Sequence, residues 1–524
     1  MPEMSDLGPQ VLVVGAGPTG LLLAAELERR DVPCLLIDAL DAPRGWDRAT
    51  VVHARSMEIF EALRLEDRLL AAGVRTRAAR FQSDGEVLGE LNFGASGSRY
   101  GFDIGLSEEV TESVLTDFLE AQGGAVTRST RLIDLVAGEA AARATLERDG
   151  ERREVGVQWV VGCDGLRSAV REAVGIEFPG ADIEAQWAVF DATIEGWEND
   201  YDVVFPHLDT PPVILTPLPG RRWRVYLRPT SDTSDLVAEA GEVIRRYQPR
   251  ATFAEIENPT RFRCHSRVAA RFRSGRVLLA GDAAHACTPA EGHGMNTGLQ
   301  DAFNLGWKLA LVCRGEAGAG LLDSYEAERR PVAERVVSSG ADVESAHAMT
   351  EAGERAARDA EIRRTFADTD AAHHEAAAAA EIDRSYPRSR AVAGDDGSAL
   401  DPGRRLPETG HVEPVDGEPR PLHELTHRRG HTLIVLGGPQ ADPGRVGNLV
   451  TELEGRSGAA VDAVVGLCTR PDGPQVGRID ESVAAQLGVV GVTVLGVRPD
   501  RYIGFRDDSG DPRAVGAYLT ALVS

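Results

Sequence analysis

At 524 residues the chain exceeds what one hydrophobic core supports, so two or three packed units are expected within one enzyme-sized protein. Its 57 basic and 82 acidic side chains leave a net charge of -25, which works against nucleic acid and anionic membranes as partners. With no apolar run of about 18 residues, a start (MPEMSDLGPQ) lacking signal-peptide features, and six scattered cysteines without C-x-x-C or metal-ligand spacing, the expectation is a cytoplasmic protein with no membrane span, disulfide or metal.

The opening residues read as a βαβ unit: a buried strand Gln10 to Val14, a Gly-rich turn, an apolar-faced helix Pro18 to Arg30 and a strand Pro33 to Asp38. That order predicts a parallel pair. From about residue 180 to 265 the runs QWAVFDATIEG, VVFPH, PVILTPL and RRWRVYLRP, broken by Pro and Gly, predict a sheet inserted into an α/β chain. Residues 295 to 380 read as helical. Within them GERAARDAEIRRTFADTDAAHHEAAAAAEIDR predicts an Ala-rich, solvated helix pair with His373 and His374 facing solvent. The stretch SRAVAGDDGSALDPGRRLPETGHVEPVDGEPRP reads as a linker before the strands HTLIVLGG, AVVGLCTR and GVTVLGVRPD of a third α/β unit.

Two segments carry chemistry. Gly15-Ala16-Gly17-Pro18-Thr19-Gly20 follows a strand and opens a helix, so its glycines permit a tight turn, close approach of a pyrophosphate and close helix packing. The helix N-terminus favours an anion by about 0.3 to 1 kcal/mol per exposed charge. Asp38, at the end of the second strand, is placed to accept hydrogen bonds from a ribose hydroxyl and disfavours a 2′-phosphate, which selects FAD or NAD over NADP. Without that acid the glycine pattern alone would fit any strand-turn-helix. The second segment is the apolar strand Arg276 to Leu279 running into Ala280-Gly281-Asp282-Ala283-Ala284-His285, followed by Pro289-Ala290-Glu291-Gly292-His293-Gly294-Met295-Asn296 and a helix through Trp307. Backbone N–H groups at that helix start could stabilise negative charge on a bound ring, though a strand end plus a capped helix would read the same way.

Together with Cys163-Asp164-Gly165-Leu166-Arg167-Ser168, GMNTGLQDAFNLGWKLA and LLDSYEAERRPVA, these segments resemble the class A FAD-dependent aromatic hydroxylases, the group around para-hydroxybenzoate hydroxylase and phenol hydroxylase. The resemblance covers residues 9 to about 340. GRRLP and VRPDRYIGFR resemble the C-terminal domain of the phenol and polyketide hydroxylase branch. The resemblance implies an α/β fold: a Rossmann-type FAD-binding domain in two parts (1–180 and 266–395, the latter with long helices), an inserted mixed β-sheet substrate domain (181–265) and a thioredoxin-like C-terminal domain (396–524). It implies cofactor contacts from Gly15, Gly17, Pro18, Thr19, Gly20, Asp38, Arg48, Leu132, Asp164, Asp282, Gly294, Met295 and Asn296. Asp164 could equally be a helix N-cap.

Two positions depart from the family pattern. Glu108 stands where Gln is common, as a flavin contact or as an early-helix acid, and Glu291-Gly292-His293-Gly294 replaces Gly-Gly-Gln-Gly, with His293 read by default as an exposed turn residue. The resemblance further implies NADPH or NADH as a transient donor, since no second G-x-G-x-x-G follows a strand, and O₂ as co-substrate. Reduced flavin would form a C4a-hydroperoxide that hydroxylates a phenolic or polyketide-like aromatic molecule in a dry pocket. His53, His207, Arg224, Tyr226 and Arg228 are the candidates for orienting that substrate; no catalytic base is assigned. The C-terminal unit, with Cys468 but no C-x-x-C, is expected to serve packing or homodimer formation rather than thiol redox chemistry. A Baeyer-Villiger oxygenase, a flavin reductase or dehydrogenase, and a non-catalytic flavin-binding protein are the rival readings.

Overall fold

The structure is a computed structural model describing residues 9–43, 45, 49–289, 292–394, 400–408, 410–456 and 458–524, without the side chains of 184 and 185. It divides into two compact units, one of Met1–Ala25, Cys34–Ala302 and Pro331–Asp383, the other of Glu26–Pro33, Phe303–Arg330 and Arg384–Ser524. Arg48 and Glu291 lie outside the described residues.

The first unit is built on a six-stranded sheet in the order Arg273–Ser274, Val277–Leu279, Trp159–Gly162, Val11–Val14, Cys34–Ile37, Val126–Thr127. All neighbours run parallel except the first pair. Val11 to Val14 are buried throughout, the uninterrupted apolar run that a strand covered on both faces requires. The helix Pro18–Glu28 connects the first two strands as expected. A three-stranded antiparallel sheet, Thr130–Ala137, Ala142–Arg148 and Glu151–Val157, precedes Trp159–Gly162.

The second sheet of this unit has eight strands, and it draws on more of the chain than residues 181–265. Its order is His285–Ala286, Thr252–Val268, Gly180–Glu195, Arg222–Leu227, Val213–Leu218, Val203–His207, Ala78–Ser83, Glu86–Asn92. The hairpin Ala78–Asn92 joins it, Ala78–Ser83 lying parallel to Val203–His207 in an otherwise antiparallel sheet. Period-two alternation sorts the side chains. Ala188, Phe190, Phe205, Trp223, Val225 and Leu227 face a helix, Leu236–Tyr247, through its Ala240, Val243 and Ile244. Trp187, Val189, Ile214 and Tyr226 form the opposite, inner face. The helix adds to the sheet expected of this segment; its signal was present in the three-to-four spacing of its apolar residues and in Asp235, whose carboxylate accepts from Val237 and Ala238 N–H.

The helix pair is found at Ala352–Ala367 and Thr369–Ala379, with Asp368 capping the second and both His373 and His374 exposed.

The second unit carries a mixed sheet ordered Ala393–Gly394, Ile503–Asp507, Val492–Val497, His431–Gly437, Val461–Cys468, Val476–Ile479, His411–Glu413, Arg420–Pro421. A parallel βαβ element (His431–Gly437, helix Pro443–Arg456, Val461–Cys468) is followed by two antiparallel strands and the helix Pro512–Val523. The described part of the expected linker is not a free tether. Gly403 N–H donates to Ile503 O at 2.7 Å, Leu406 N–H donates to Arg501 O at 2.8 Å, and Leu400 and Leu406 are buried in the core of this unit. Among the described residues no helix is long and apolar enough to cross a membrane.

Candidate functional site

The strand Val11–Val14 ends at Gly15, whose φ of +102° lies in the region that glycine alone enters easily. A Cβ there would lie 2.2 Å from Cys163 O. Gly20 is equally forced, since its Cβ would meet Gly15 O at 1.9 Å. Gly17 is different: the nearest atom to a Cβ there is Glu112 Oε1 at 3.9 Å. Room therefore remains above the N-terminus of the helix Pro18–Glu28, where phosphate oxygens would meet unpaired N–H groups. The Asp38 carboxylate accepts from Ala16 N–H at 2.7 Å and from Leu40 N–H at 2.8 Å, tying the end of the second strand to the turn.

The distant strand-turn-helix arrives at the same place. A Cβ on Gly281 would lie 2.7 Å from Thr19 Oγ1, and one on Gly298 would lie 2.3 Å from it, so the opening glycine turn and the Gly281–Gly298 stretch are packed directly together. Gly281 (φ +59°) is held by Asp301, whose Oδ2 accepts from Gly281 N–H at 3.1 Å and pairs with His285 Nε2 at 2.6 Å. In this turn Gly281 and Ala283 are buried while Asp282 is exposed.

At the start of the helix His293–Cys313, Asn296 is spent on the protein itself. Its Oδ1 accepts from His53 N–H at 3.0 Å and its Nδ2 donates to Val51 O and Gly292 O at 2.9 and 2.8 Å. Only its backbone remains for a cofactor. Gly294 and Met295 beside it are half-buried. His293, expected to be exposed in a turn, is instead 5 % exposed and opens the helix. The correction has a packing cause: its ring lies 5.1 Å from that of His53, and its Nδ1 lies 3.4 Å from Oε1 of the fully buried Glu381.

The helix after Asp164 takes Ser168, not Asp164, as its N-cap, the Ser168 side chain accepting from Arg171 N–H. Asp164 Oδ2 accepts from Val170 N–H at 3.1 Å near the start of the short helix Ala169–Ala173, while its buried Oδ1 has no hydrogen-bond partner among the described residues. Burial raises its pKa above the usual carboxylate value, against the pull of those hydrogen bonds. Glu108 is the half-buried first residue of the helix Glu108–Ala121, following the N-cap Ser107. Leu132 is buried in Thr130–Ala137 opposite Leu146, at a register shift.

The substrate candidates separate by face. Tyr226 lies on the inner face, where its hydroxyl shares a hydrogen bond with Thr50 Oγ1 at 3.0 Å, three residues before His53. Arg224 is on the same side but locked in a bidentate pair with Asp191 at 2.7 and 2.9 Å, its cross-strand neighbour. Arg228 approaches Glu344 Oε1 at 3.1 Å, and Glu344 also accepts from Trp187 Nε1 at 2.9 Å. His207 sits on the other face with Phe205, 4.6 Å from the Tyr247 ring, and burial depresses its pKa to about 3. It does not join the others.

Asp301, Asp103 and Glu381 escaped sequence reading. For Asp301 a signal existed: Asn296, Thr297, Gln300, Asp301, Asn304 and Lys308 form a polar stripe on an otherwise apolar helix, and such groups are buried only with partners.

An open approach above Gly17, an exposed Asp282 beside the buried turn and an orphaned buried oxygen on Asp164 fit a dinucleotide laid across the joined turns. Fold and site together define an FAD-binding protein. The chain belongs to the family described as FAD binding domain, whose profile matches residues 9–339. It is 38% identical over 353 residues to pentachlorophenol 4-monooxygenase of Sphingobium chlorophenolicum, covering 65% of this chain and 64% of that protein. To 6-methylpretetramide 4-monooxygenase of Streptomyces rimosus it is 38% identical over 347 residues, covering 65% and 62%. The chain thus spans just under two thirds of these curated relatives. Among solved structures, OxyS anhydrotetracycline hydroxylase from Streptomyces rimosus superposes with a TM-score of 0.76 at 28% identity, covering 98% of each chain. The flavin-dependent monooxygenase PieE, in complex with FAD and substrate, superposes at 0.81 with 24% identity over 98% of this chain and 100% of that one, a likeness of fold.

Proposed function

We propose that the protein is an FAD-dependent monooxygenase that consumes NAD(P)H and O₂ to hydroxylate a phenolic or polyketide-like aromatic small molecule. The observation that carries this reading is the continuity of the inner sheet face with the cofactor turns: Tyr226 binds Thr50, and His53 N–H binds Asn296 at the helix start. An aromatic ring lying on Trp187, Ile214 and Tyr226 would then face the edge of a ring bound at Gly292 to Asn296. Bound FAD supplies acceptance of hydride from NAD(P)H and activation of O₂.

The chain's own residues do the rest. Gly15, Gly17, Pro18, Thr19 and Gly20 receive the pyrophosphate, Asp38 the adenosine ribose, and Asp282 the ribityl chain; Asp164, Leu132, Glu108, Gly294, Met295 and the Asn296 backbone complete the proposed cofactor contacts. The apolar inner face excludes water so that oxygen is delivered to the ring. Of the substrate candidates, His53, Tyr226 and Arg228 remain in the proposal. The opposite face of His207 and the engaged guanidinium of Arg224 favour structural roles. The division into FAD-binding, substrate and thioredoxin-like C-terminal parts, the cytoplasmic location and a packing or dimerisation role for the C-terminal part belong to the same reading.

The test is a panel of phenols and polycyclic phenolic polyketides, scored for stimulation of NAD(P)H oxidation by the FAD-loaded protein and for product mass. A product heavier by one oxygen, retaining its rings and formed with one O₂ per NAD(P)H, is expected. A lactone would replace the proposal with Baeyer-Villiger chemistry, and turnover without oxygen incorporation would replace it with a reductase or dehydrogenase.

A further inference from the structure

The inner face of the large sheet carries a group of polar side chains that the cofactor turns do not use. Arg228 follows the strand Arg222–Leu227, and its N–H still donates to Pro212 O at 3.2 Å. Period-two alternation therefore puts its side chain on the same face as Tyr226, about 7 Å further along. Trp187 neighbours it across the sheet, one residue before the Ala188–Leu227 pair. The helix Asp323–Ala348 covers this end. Its Gly340 O accepts from Thr288 Oγ1 at 3.5 Å, close to the start of the helix His293–Cys313, and Glu344 follows about 6 Å along the axis. Glu344 and His347 both meet Trp187, whose Nε1 donates to Glu344 Oε2 at 2.9 Å and whose ring lies 5.6 Å from that of His347.

These groups are close together but unsatisfied. Arg228 Nη1 lies 3.1 Å from Glu344 Oε1, yet neither atom completes an aligned hydrogen bond among the described residues, and both atoms are buried. Neither ring nitrogen of His347 completes one either. The Val343 carbonyl one turn back draws the imidazole proton to one nitrogen, which leaves the other as an acceptor. Glu344 and His347 are each 7 % exposed. Buried polar groups are rarely left so, and here three of them, from a strand end and a helix, share one space. Ile183, Val204 and Phe262 on the same face are only half-buried, and the Arg228 side chain is 23 % exposed. The face is thus not sealed, and the guanidinium has room to turn from Glu344 toward an entering group.

We infer that Arg228, Glu344 and His347 form a subsite for a neutral primary carboxamide carried by the aromatic substrate at the end remote from the oxygenated ring. The inference rests on the hydroxylase reading and names the substrate class of that site. The carboxamide oxygen accepts from Arg228, one amide N–H donates to Glu344 Oε1, and the other donates to His347. A carboxylate would set a second negative charge against Glu344, and an ammonium a second positive charge against Arg228. The pair therefore selects a neutral group with a donor and an acceptor on neighbouring atoms. An ester or ketone only accepts, which leaves Glu344 and His347 unsatisfied. Tyr226, through Thr50, marks the cofactor end of the face. The step of about 7 Å from there to Arg228 exceeds one benzene ring, so the substrate has at least two fused rings.

The experiment measures, by equilibrium dialysis against the FAD-loaded protein, the binding of 6-hydroxy-2-naphthamide, 6-hydroxy-2-naphthoate, its methyl ester and 2-naphthol. In the unaltered protein the amide is expected to bind roughly tenfold or more tighter than the naphthoate or the ester. In Glu344→Gln, first checked for unchanged FAD content, the naphthoate is expected to gain affinity and overtake the amide, because Arg228 is no longer countered. In Arg228→Gln the amide is expected to lose roughly tenfold or more. 2-Naphthol, which lacks the group, is expected to bind all three proteins alike, whereas a merely structural role for either residue would change its binding as well. Equal binding of amide and naphthoate to the unaltered protein, no binding of either, or the same order in Glu344→Gln overturns the subsite. The two proposals fail separately. Amide preference without any oxygenated product removes the hydroxylase and leaves the subsite, while oxygenation without amide preference removes the subsite and leaves the hydroxylase.

Discussion

Gly15 and Asp282 fail in different ways when changed, because one shapes the cofactor turn and the other is exposed beside it. Gly15→Ala forces an L-residue to φ +102° with its Cβ 2.2 Å from a backbone carbonyl. Strained backbone of this kind costs about 1–3 kcal/mol, and the displaced Cys163 carbonyl adds to it. The variant is expected to melt lower and to purify nearly colourless, which thermal unfolding and the FAD absorbance per protein will measure. Asp282→Ala removes an exposed carboxylate from a turn held by Asp301, so the FAD-free protein is expected to fold with unchanged melting temperature and the purified protein to retain FAD weakly. Full flavin occupancy in Asp282→Ala would remove the ribityl role proposed for it.

Elements are coupled most tightly where a glycine lets one approach another. The hairpin strand Glu86–Asn92 meets the helix Ala352–Ala367 at Gly89, where a Cβ would stand 2.5 Å from Phe366 Cδ2 and 2.8 Å from Phe366 Cβ. Phe366 also packs on Phe81 with ring centroids 5.3 Å apart. Gly89→Ala therefore overpacks the contact, at about 1–3 kcal/mol. The double variant Gly89→Ala/Phe366→Ala is expected to be more stable than the sum of the single effects, since the two share one contact. Additive losses in urea unfolding would show that the strand and helix do not meet there. In the second unit, Glu328 accepts from Arg498 at 2.7 and 2.8 Å and from Lys308 at 2.7 Å, all fully buried. Arg498 and Lys308 hold the Glu328 carboxyl well below the usual range despite burial, while burial draws Lys308 down to about 8. Glu328→Gln leaves two buried cations under-compensated and is expected to cost about 3–5 kcal/mol.

Acid stability is a property of the whole molecule, since imidazoles in both units contribute. Burial lowers His207 to about 3, and His347 and His431 to about 4, from 6.5. Above pH 6.5 each is neutral whether folded or unfolded. Below it the unfolded chain takes up protons that the folded interior refuses, so the contribution of His347 and His431 to stability falls between pH 6.5 and about 4, and that of His207 goes on falling to about 3. The melting temperature is expected to drop across that window. His347→Gln, which leaves a neutral group against Trp187, is expected to flatten the drop; an unchanged slope would mean that His347 titrates normally.

The extent of what could be read from sequence follows from the range of the forces. The strands Val11–Val14 and Cys34–Ile37, the glycine turn, Asp38 and the helix onset near His293 were legible, because backbone sterics and hydrophobic spacing act between residues close in the chain. Nothing local reports which distant polar group will satisfy a buried one. Tertiary packing alone set His293 against Glu381 and His53 against Asp103, brought Thr19 to Gly281, drew Ala78–Asn92 into the large sheet and turned His207 to its far face. Charge and polarity could be counted along the chain, but burial, which decides whether a carboxylate orients a neighbour or merely meets water, exists only once the elements have packed.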